Sequence, residues 1–172
     1  MNVRYCFLLM AGLVLASVSL LAAAPSIPGS PDQEATKKTV MDTRAVGTAM
    51  WHWYKSEVAP KRSEEAHKKA QEQNPTKADF TAVPVISRED LAKILVPRYI
   101  AAIPEADGWG HPYEFRLNTQ DPNAIQVMAV RSPGKDGKFA GDAYEVGEFA
   151  STDFDQDITW LDGYFVRWPQ PK

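Results

Sequence analysis

The hydrophobic positions of the chain predict one long helix in its N-terminal half, over residues 34–57. Within this segment the apolar residues follow one another at steps of one and three, which places them in one broad stripe on a helical wheel. Charged and polar residues lie on the opposite face. We therefore expect the stripe to pack on a β-sheet, with Trp53 in the core and Trp51 at the solvent edge. The stripe consists of Ala45, Val46, Ala49, Met50, Trp53 and Tyr54.

The C-terminal half carries the signals of three β-strands, over residues 112–117, 124–130 and 163–168. In each of them apolar or aromatic residues alternate with polar ones, as is typical of a half-buried strand. One helix followed by an antiparallel sheet is an α+β layout in which the helix covers one face of the sheet. The sequence therefore predicts a two-layer α+β fold.

Two shorter segments connect the long helix to the strands. Residues 61–73 are charged and have no apolar stripe, so they form either a solvated helical extension or a loop. Residues 88–95 are predicted to form a short helix, because Ser87 and Asp90 have the spacing of a capping box at its start. Pro97 marks its end.

Residues 1–24 are predicted to be a signal peptide or a membrane anchor, because residues 5–24 form an apolar run that ends in three alanines. The run is about long enough to span a bilayer. We expect export with cleavage and a periplasmic or extracellular location, whereas an uncleaved run would anchor the chain in the inner membrane. The proline-rich residues 25–34 predict a linker, which leads to one domain over residues 35–172.

Composition and motifs argue against several classes of function. The formal net charge is −3, so the chain lacks the basic surface of a nucleic-acid-binding protein. The only cysteine, Cys6, lies in the predicted signal peptide, so the cleaved protein would have no disulfide, thiolate zinc site or cysteine nucleophile. The three histidines are far apart in sequence, and we find no cofactor motif and no pairing of a nucleophile with a base. We therefore expect a non-enzymatic protein.

An acidic, glycine-containing segment over residues 132–160 predicts a loop that binds a metal ion. Carboxylates and backbone carbonyls are the ligands that calcium prefers, and glycine allows the backbone to turn its carbonyls inward. Asp153, Asp155 and Asp157 have the spacing of the first EF-hand ligands, but Ile158 replaces the glycine that such a loop needs. The segment is therefore not an EF-hand, and a solvated acidic turn is the alternative interpretation.

Segments along the chain resemble the G-type major pseudopilin of the type II secretion system. The acidic segment contains Ser-x-Gly-x-Asp-Gly at 132–137 and Asp-x-Asp-Ile at 155–158, which is similar to the C-terminal loop of that family. Three upstream segments occur in the same order as in the family. DTRAVGTAM begins at Asp42, LVPRYIAAIP begins at Leu95 and DGWGHPY begins at Asp107.

This resemblance covers residues 36–162 and implies a pilin-like fold. In that fold a long N-terminal helix packs on a small antiparallel sheet that carries a calcium-binding C-terminal loop. The resemblance also implies a structural or interaction role in protein transport, with envelope or secretion-system proteins as partners. The calcium ligands that it implies are Asp136, Asp155 and Asp157. The acidic segment itself also offers Asp142 and Asp153 as substitutes.

The N-terminal stem departs from the pseudopilin pattern. Members of the family have a prepilin-peptidase site followed by an apolar helix that continues into the domain. Here Pro25, Pro28 and Pro31 follow the apolar run and interrupt such a helix, so we expect the protein not to form filaments on its own. The alternative function is a stand-alone envelope module that binds a glycan or a peptide on the same fold. Two exposed, coplanar tryptophans among the five in the chain would form a platform for such a ligand.

Overall fold

The computed structural model describes residues 29–72 and 76–171, and it shows an α+β protein with one long helix. The helices are α1 (Pro31–Glu57), α2 (Glu64–Gln71) and α3 (Arg88–Leu95), with a 3-10 turn at Ala59–Lys61. The strands are β1 (Lys77–Asp79), β2 (Val85–Ile86), β3 (Glu114–Leu117), β4 (Met128–Ser132), β5 (Ala143–Glu145), β6 (Gly147–Phe149), β7 (Ile158–Leu161) and β8 (Tyr164–Pro169). The predicted α+β class is confirmed.

The strands form two sheets, and α1 lies across the larger one. The six-stranded sheet has the order β2-β3-β4-β7-β8-β6, and its neighbouring strands are antiparallel except for β8 and β6, which are parallel. Strands β1 and β5 form a separate antiparallel pair. Helix α1 contacts β4 and β7 in the middle of the large sheet. A second buried cluster, which includes Phe80, Tyr144 and Val166, packs on the other face. The middle strands are therefore covered on both sides.

Helix α1 begins at Pro31, earlier than the sequence predicted. Ser30 caps it by accepting a hydrogen bond from the backbone N–H of Gln33, and the Gln33 side chain accepts one from the backbone N–H of Ser30. Proline fits the first helical position because its missing N–H has no partner there. Residues 31–34, which were assigned to the linker, are thus the first turn of the helix.

The buried stripe of α1 is longer than predicted and slightly rotated. Val46, Ala49, Met50 and Tyr54 are buried as expected. Ala45 is exposed and Trp53 is only half-buried, so the prediction was wrong for these two residues. The stripe continues toward the N-terminus and also includes a glycine between its predicted members, and the added threonines and glycine do not count as apolar in a hydropathy pattern. These additional buried positions are Ala35, Thr39, Thr43 and Gly47.

Both the predicted short helix and part of the charged segment are helical in the structure. Helix α3 covers the predicted residues 88–95, and the Ser87 hydroxyl accepts a hydrogen bond of 3.0 Å from the backbone N–H of Asp90. The charged segment 61–73 contains α2, with Ser63 as its N-terminal cap. Of the two interpretations of this segment, the helical one is therefore confirmed for residues 64–71.

The strand predictions hold for β3 and β8 and place the start of β4 wrongly, and they miss β1, β2, β5, β6 and β7, of which β5 and β6 also lie in the predicted acidic loop. Strand β4 begins at Met128 rather than at residue 124, and Ile125, which was expected to face the core, is 44% exposed. Strand β7 lies inside the segment assigned to the acidic loop. Every residue of β4 and β7 is buried, because both faces of these strands are covered. Such strands lack the apolar–polar alternation from which a strand is predicted.

The structure bears on only part of the predicted N-terminal organisation. The predicted signal peptide or anchor, residues 1–24, and the beginning of the linker, residues 25–28, lie outside the described residues. Within residues 29–72 and 76–171, no helix combines the length and the apolar character needed to cross a membrane.

Candidate metal loop

The three aspartates predicted to bind calcium lie in two turns that pack against each other. Asp136 lies in the turn after β4, Asp155 lies between β6 and β7, and Asp157 directly precedes β7. The turns meet at Gly134, which has a φ of +70° and whose Cβ, if present, would be 2.6 Å from the carbonyl oxygen of Gln156. A backbone hydrogen bond of 2.8 Å also joins them. Glycine is therefore required at this contact.

Asp157 is the buried member of the three. Its Oδ2 accepts hydrogen bonds from the backbone N–H of Ala140 at 2.9 Å and from the Tyr144 hydroxyl at 2.5 Å. Its Oδ1 is also buried and has no hydrogen-bond partner within the described residues. Burial raises the pKa of Asp157, the hydrogen bond from Tyr144 opposes this rise, and the charge of Asp136 adds to it. Asp157 therefore has a buried oxygen with unused acceptor capacity.

The other two aspartates occupy different places relative to Asp157. Asp155 is exposed and lines, together with Asp157 and Tyr144, a cleft of about 320 Å³. Asp136 is also exposed, and its Oδ1 accepts a hydrogen bond of 2.9 Å from the backbone N–H of Lys138, which closes a tight turn. The structure thus brings Asp155 and Asp157 to one cleft, and it places Asp136 close enough for its charge to act on Asp157.

The donor set fits a calcium ion only in part. Within the part of the chain that the structure describes, no three acidic, histidine or cysteine side chains lie close enough together to hold one ion. Asp142, suggested as a substitute ligand, instead forms ion pairs with Arg116 at 2.8 Å and with Arg131 at 3.1 Å. Asp153 is exposed and accepts a hydrogen bond from a neighbouring glutamine. The unpaired Oδ1 of Asp157 is the feature that fits a cation best.

A buried arginine anchors the loop to the sheet, and the sequence analysis missed it. Arg131 of β4 is 1% exposed. Its Nε and Nη2 donate to Oε1 of Glu114 at 3.0 and 2.7 Å, and its Nη1 donates to the Gly141 carbonyl at 2.7 Å. The rings of Phe139 and Tyr144 surround the guanidinium, with ring centroids 4.4 and 5.9 Å from Cζ. Arg131 therefore connects the acidic loop to strand β3 and to Tyr144, whose hydroxyl donates to Asp157.

Arg116 of β3 extends this anchor to the neighbouring loop. It pairs with Glu114 at 2.5 Å and with Asp142 at 2.8 Å, and its Nη1 donates to the carbonyl oxygens of Phe80 and Val83. Two arginines and two carboxylates thus share one largely buried network. Arg116 and Arg131 each lie inside a strand, and a charge that is buried in a strand requires a partner. These two arginines were the signal of the network in the sequence.

The other side of the loop rests on the segment that begins at Asp107. Oδ2 of Asp107 accepts a hydrogen bond of 2.7 Å from the Ser132 hydroxyl, and its Oδ1 accepts from the backbone N–H groups of Trp109 and His111. The His111 ring lies against Gly137 and its Nε2 is 3.1 Å from the carbonyl oxygen of Lys135. Two of the segments that carry the pseudopilin resemblance, 107–113 and 132–137, therefore meet in space.

Comparison of the chain with protein-family models, curated proteins and solved structures finds no match. The resemblance to pseudopilins consequently rests on the residues quoted for it.

A second aspartate stabilises the far end of β7. Asp162 and Gly163 form a two-residue turn between β7 and β8 with φ values of +43° and +112°, the conformation that favours Asp-Gly in hairpins. Oδ1 of Asp162 accepts hydrogen bonds from the backbone N–H groups of Val127 at 3.0 Å and Met128 at 2.9 Å. Burial raises the pKa of Asp162 to about 6, although these bonds and the charge of Arg62 act in the opposite direction.

We expect Asp162→Asn to remove the pH dependence of stability that this carboxyl group contributes. The folded-state pKa of about 6 exceeds the usual value of about 3.9. The contribution of Asp162 to stability is therefore fully present below about pH 4 and is lost as the pH rises through 6. Relative to wild type, Asp162→Asn should gain about 1–3 kcal/mol in free energy of unfolding between pH 4 and pH 7.5.

Urea denaturation at the two pH values measures this difference, and Asp162→Ala is the control. Neither variant titrates at this position, but alanine leaves two N–H groups without their acceptor, so Asp162→Ala should be about 1–3 kcal/mol less stable than Asp162→Asn at both pH values. A wild type and an Asp162→Asn variant whose stabilities change in parallel with pH would show that the carboxyl group titrates normally in the folded protein.

Proposed function

We propose that this protein is an exported, non-enzymatic structural or interaction domain of the cell envelope, related to the type II secretion pseudopilins and stabilised by calcium. Two features support the proposal. Helix α1 lies across the middle of a mainly antiparallel sheet, and the acidic loop packs on the 107–113 segment in the arrangement described above. The partners that we propose are envelope or secretion-system proteins, in the periplasm or outside the cell.

The observation that carries the calcium part of the proposal is the unpaired Oδ1 of Asp157. A buried carboxylate oxygen without a donor costs free energy, which a bound cation offsets. Asp155 lines the same cleft, and the backbone carbonyls of residues 132–142 would complete the ligand set. Asp136 would orient the turn and add negative charge. Oxygen ligands on an irregular loop favour calcium over zinc and over magnesium, which demands a stricter geometry.

The proposal predicts that calcium raises the melting temperature of the protein. Extracellular calcium modules bind with dissociation constants of about 0.1–1 mM. At about ten times that constant, binding to the folded state alone adds about 1.4 kcal/mol, which corresponds to a rise of about 3–6 °C for a domain of this size. Thermal melting in EGTA and in calcium measures the effect. Asp157→Asn should abolish the rise and Asp155→Asn should reduce it.

Asp121→Asn provides the matched control, because it removes one negative charge from a turn outside the acidic loop. It should respond to calcium as wild type does. Equal melting of the wild type in both buffers would refute the calcium role and leave the acidic loop as a solvated turn. A rise that persists in Asp157→Asn would show that the ion binds elsewhere.

One observation favours the alternative function, a stand-alone binding module. A cleft beside Trp51 is lined by aromatic and cationic side chains. Trp51 stacks on the buried Tyr54, with ring centroids 5.4 Å apart, so the aromatic surface is one tryptophan backed by a tyrosine rather than the two exposed tryptophans that the sequence suggested.

A further inference from the structure

The cleft beside Trp51 has the size and lining of a small-molecule site. It has a volume of about 380 Å³ and opens between the C-terminal end of α1, helix α2 and the β7–β8 turn. Two of its lining residues, Ile125 and Tyr164, are 44% and 39% exposed, which is unusual for large apolar side chains in this structure. Ligand pockets typically enclose about 300–1,000 Å³ and combine apolar walls with a few polar groups.

One wall of the cleft contains the half-buried Trp51 indole, which is backed by the buried ring of Tyr54. The rings of Trp51 and Tyr54 are stacked with an angle of 27° between their planes. Gly163 of the β7–β8 turn has no side chain, and a Cβ at that position would lie 3.8 Å from the Trp51 indole. The turn therefore approaches the indole without a side chain of its own at that point. A planar ring is the group that such a wall binds best.

Two cations line the same cleft without a direct ion pair to a carboxylate. Lys55 Nζ lies 5.6 Å from the Trp51 ring centroid. Arg62 donates to the Tyr54 hydroxyl at 2.6 Å and to the Ala66 carbonyl at 3.1 Å, and these two bonds hold its guanidinium in place. Within residues 29–72 and 76–171, neither cation forms an ion pair with a carboxylate. The cleft thus holds two cations outside any direct ion pair, and only Arg62 has a carboxylate, Asp162, near enough for the charges to act on each other.

The carboxylate that lines the cleft, Asp162, is already used by the backbone. Its oxygens accept hydrogen bonds from the N–H groups of Val127 and Met128. These donors partly neutralise its charge, so Asp162 opposes an anionic ligand less than a free carboxylate would. The balance of charge in the cleft therefore favours an anion.

We propose that this cleft binds a small aryl carboxylate, a planar ring with an anionic group. The ring lies on Trp51 and the carboxylate pairs with Lys55 and Arg62. Recognition then combines apolar contact, which any flat ring provides, with a charge requirement that selects the anion. The cleft shares no lining residue with the cleft of the acidic loop, so aryl carboxylate binding is independent of calcium.

Three probes that differ in charge test the proposal on the protein as it exists. They are 2-naphthoate, the neutral 2-naphthylmethanol and the cationic 2-naphthylmethylammonium. Calorimetry measures affinity, and the indole N–H signals of the five tryptophans in a proton–nitrogen NMR spectrum identify the site. We expect 2-naphthoate to bind with a dissociation constant of about 1 mM or lower, to shift the Trp51 signal, and to bind more tightly than the other two probes.

Variants of the cleft distinguish the contribution of charge to binding from the contribution of aromatic contact. Lys55→Gln should weaken 2-naphthoate by about two- to five-fold while 2-naphthylmethanol binds as before. Trp51→Ala should weaken both probes, whereas Trp53→Ala, a half-buried tryptophan of the same helix outside the cleft, serves as the control and should weaken neither. Lys55 is exposed, so its replacement leaves a folded protein even if Trp51→Ala does not fold.

The proposal is overturned by any of the following results, of which the third has two forms. The first is no saturable binding of 2-naphthoate up to about 10 mM. The second is equal affinity for the three probes, which would mean that charge plays no part. The third is 2-naphthoate binding that shifts other tryptophan signals but not that of Trp51, or that Lys55→Gln leaves unchanged. EGTA and calcium should give the same affinity, so failure of the calcium proposal would not affect this test.

Discussion

Replacing Arg131 with alanine is expected to lower the free energy of unfolding by about 3–5 kcal/mol, the cost of removing one partner from a buried ion pair. Arg131 is 1% exposed and pairs with Glu114 and Asp142. Its loss leaves Arg116 as the one arginine for both Glu114 and Asp142, so one negative charge of the network is uncompensated, and it opens a cavity beside Tyr144. Urea denaturation at neutral pH measures the loss.

Arg98→Ala provides the matched control for this prediction. Arg98 forms an ion pair with Glu57 at 3.3 Å, but its side chain is 70% exposed. Exposed pairs of this kind contribute about 0–1 kcal/mol, so the control should lose far less stability. Similar losses for Arg98→Ala and Arg131→Ala would mean that the buried network contributes no more than a surface ion pair.

Replacing Trp160 with alanine is also expected to cost about 3–5 kcal/mol, because the side chain fills the space between β7 and α1. Trp160 is 3% exposed, and its ring lies against Gly47, where a Cβ would be 2.5 Å from the nearest ring atom. Gly47→Ala tests the same contact from the helix side. The gain in helix propensity of about 0.5–1 kcal/mol is opposed by overpacking of about 1–3 kcal/mol, so this variant should be destabilised.

Trp168→Ala is the control for Trp160→Ala, since Trp168 lies on β8 of the same sheet but is only half-buried. It should lose about half as much stability or less, in proportion to the apolar area that it buries. Urea denaturation of Trp160→Ala, Gly47→Ala and Trp168→Ala measures these differences in the free energy of unfolding. A Gly47→Ala protein that is more stable than wild type would show that α1 and β7 can separate at little cost.

The parts of the fold that were predictable depend on local patterns. The spacing of Val46, Ala49, Met50 and Tyr54 predicted one buried face of α1, because helical periodicity is visible in any short segment. Gly47 was missed because its burial depends on Trp160, more than a hundred residues away in the chain. A position that is buried for its small size carries no hydropathy signal.

The candidate site was predictable in its composition but not in its geometry. The acidic segment drew attention to Asp155 and Asp157, which share a cleft, yet only the structure shows that one oxygen of Asp157 is unpaired. The pairing of Arg131 with Glu114 follows from the alignment of β4 with β3. Such cross-strand partners depend on register, which the hydrophobic pattern of a strand helps to set, and β4 is buried at every position and has no alternating pattern. The Asp162-Gly163 turn, by contrast, carried a hairpin signal that could have been used.

The six-stranded sheet ends on both sides in very short strands. Strand β2 has two residues and β6 has three, and the middle residue of β6 is the exposed Glu148. Each edge therefore offers few unpaired backbone groups to a second chain, and one edge carries a charge. Such edges disfavour strand addition, so the sheet resists the side-by-side growth that leads to aggregation. Contacts of this protein with other proteins are accordingly expected through side chains on its faces and loops rather than through extension of its sheet.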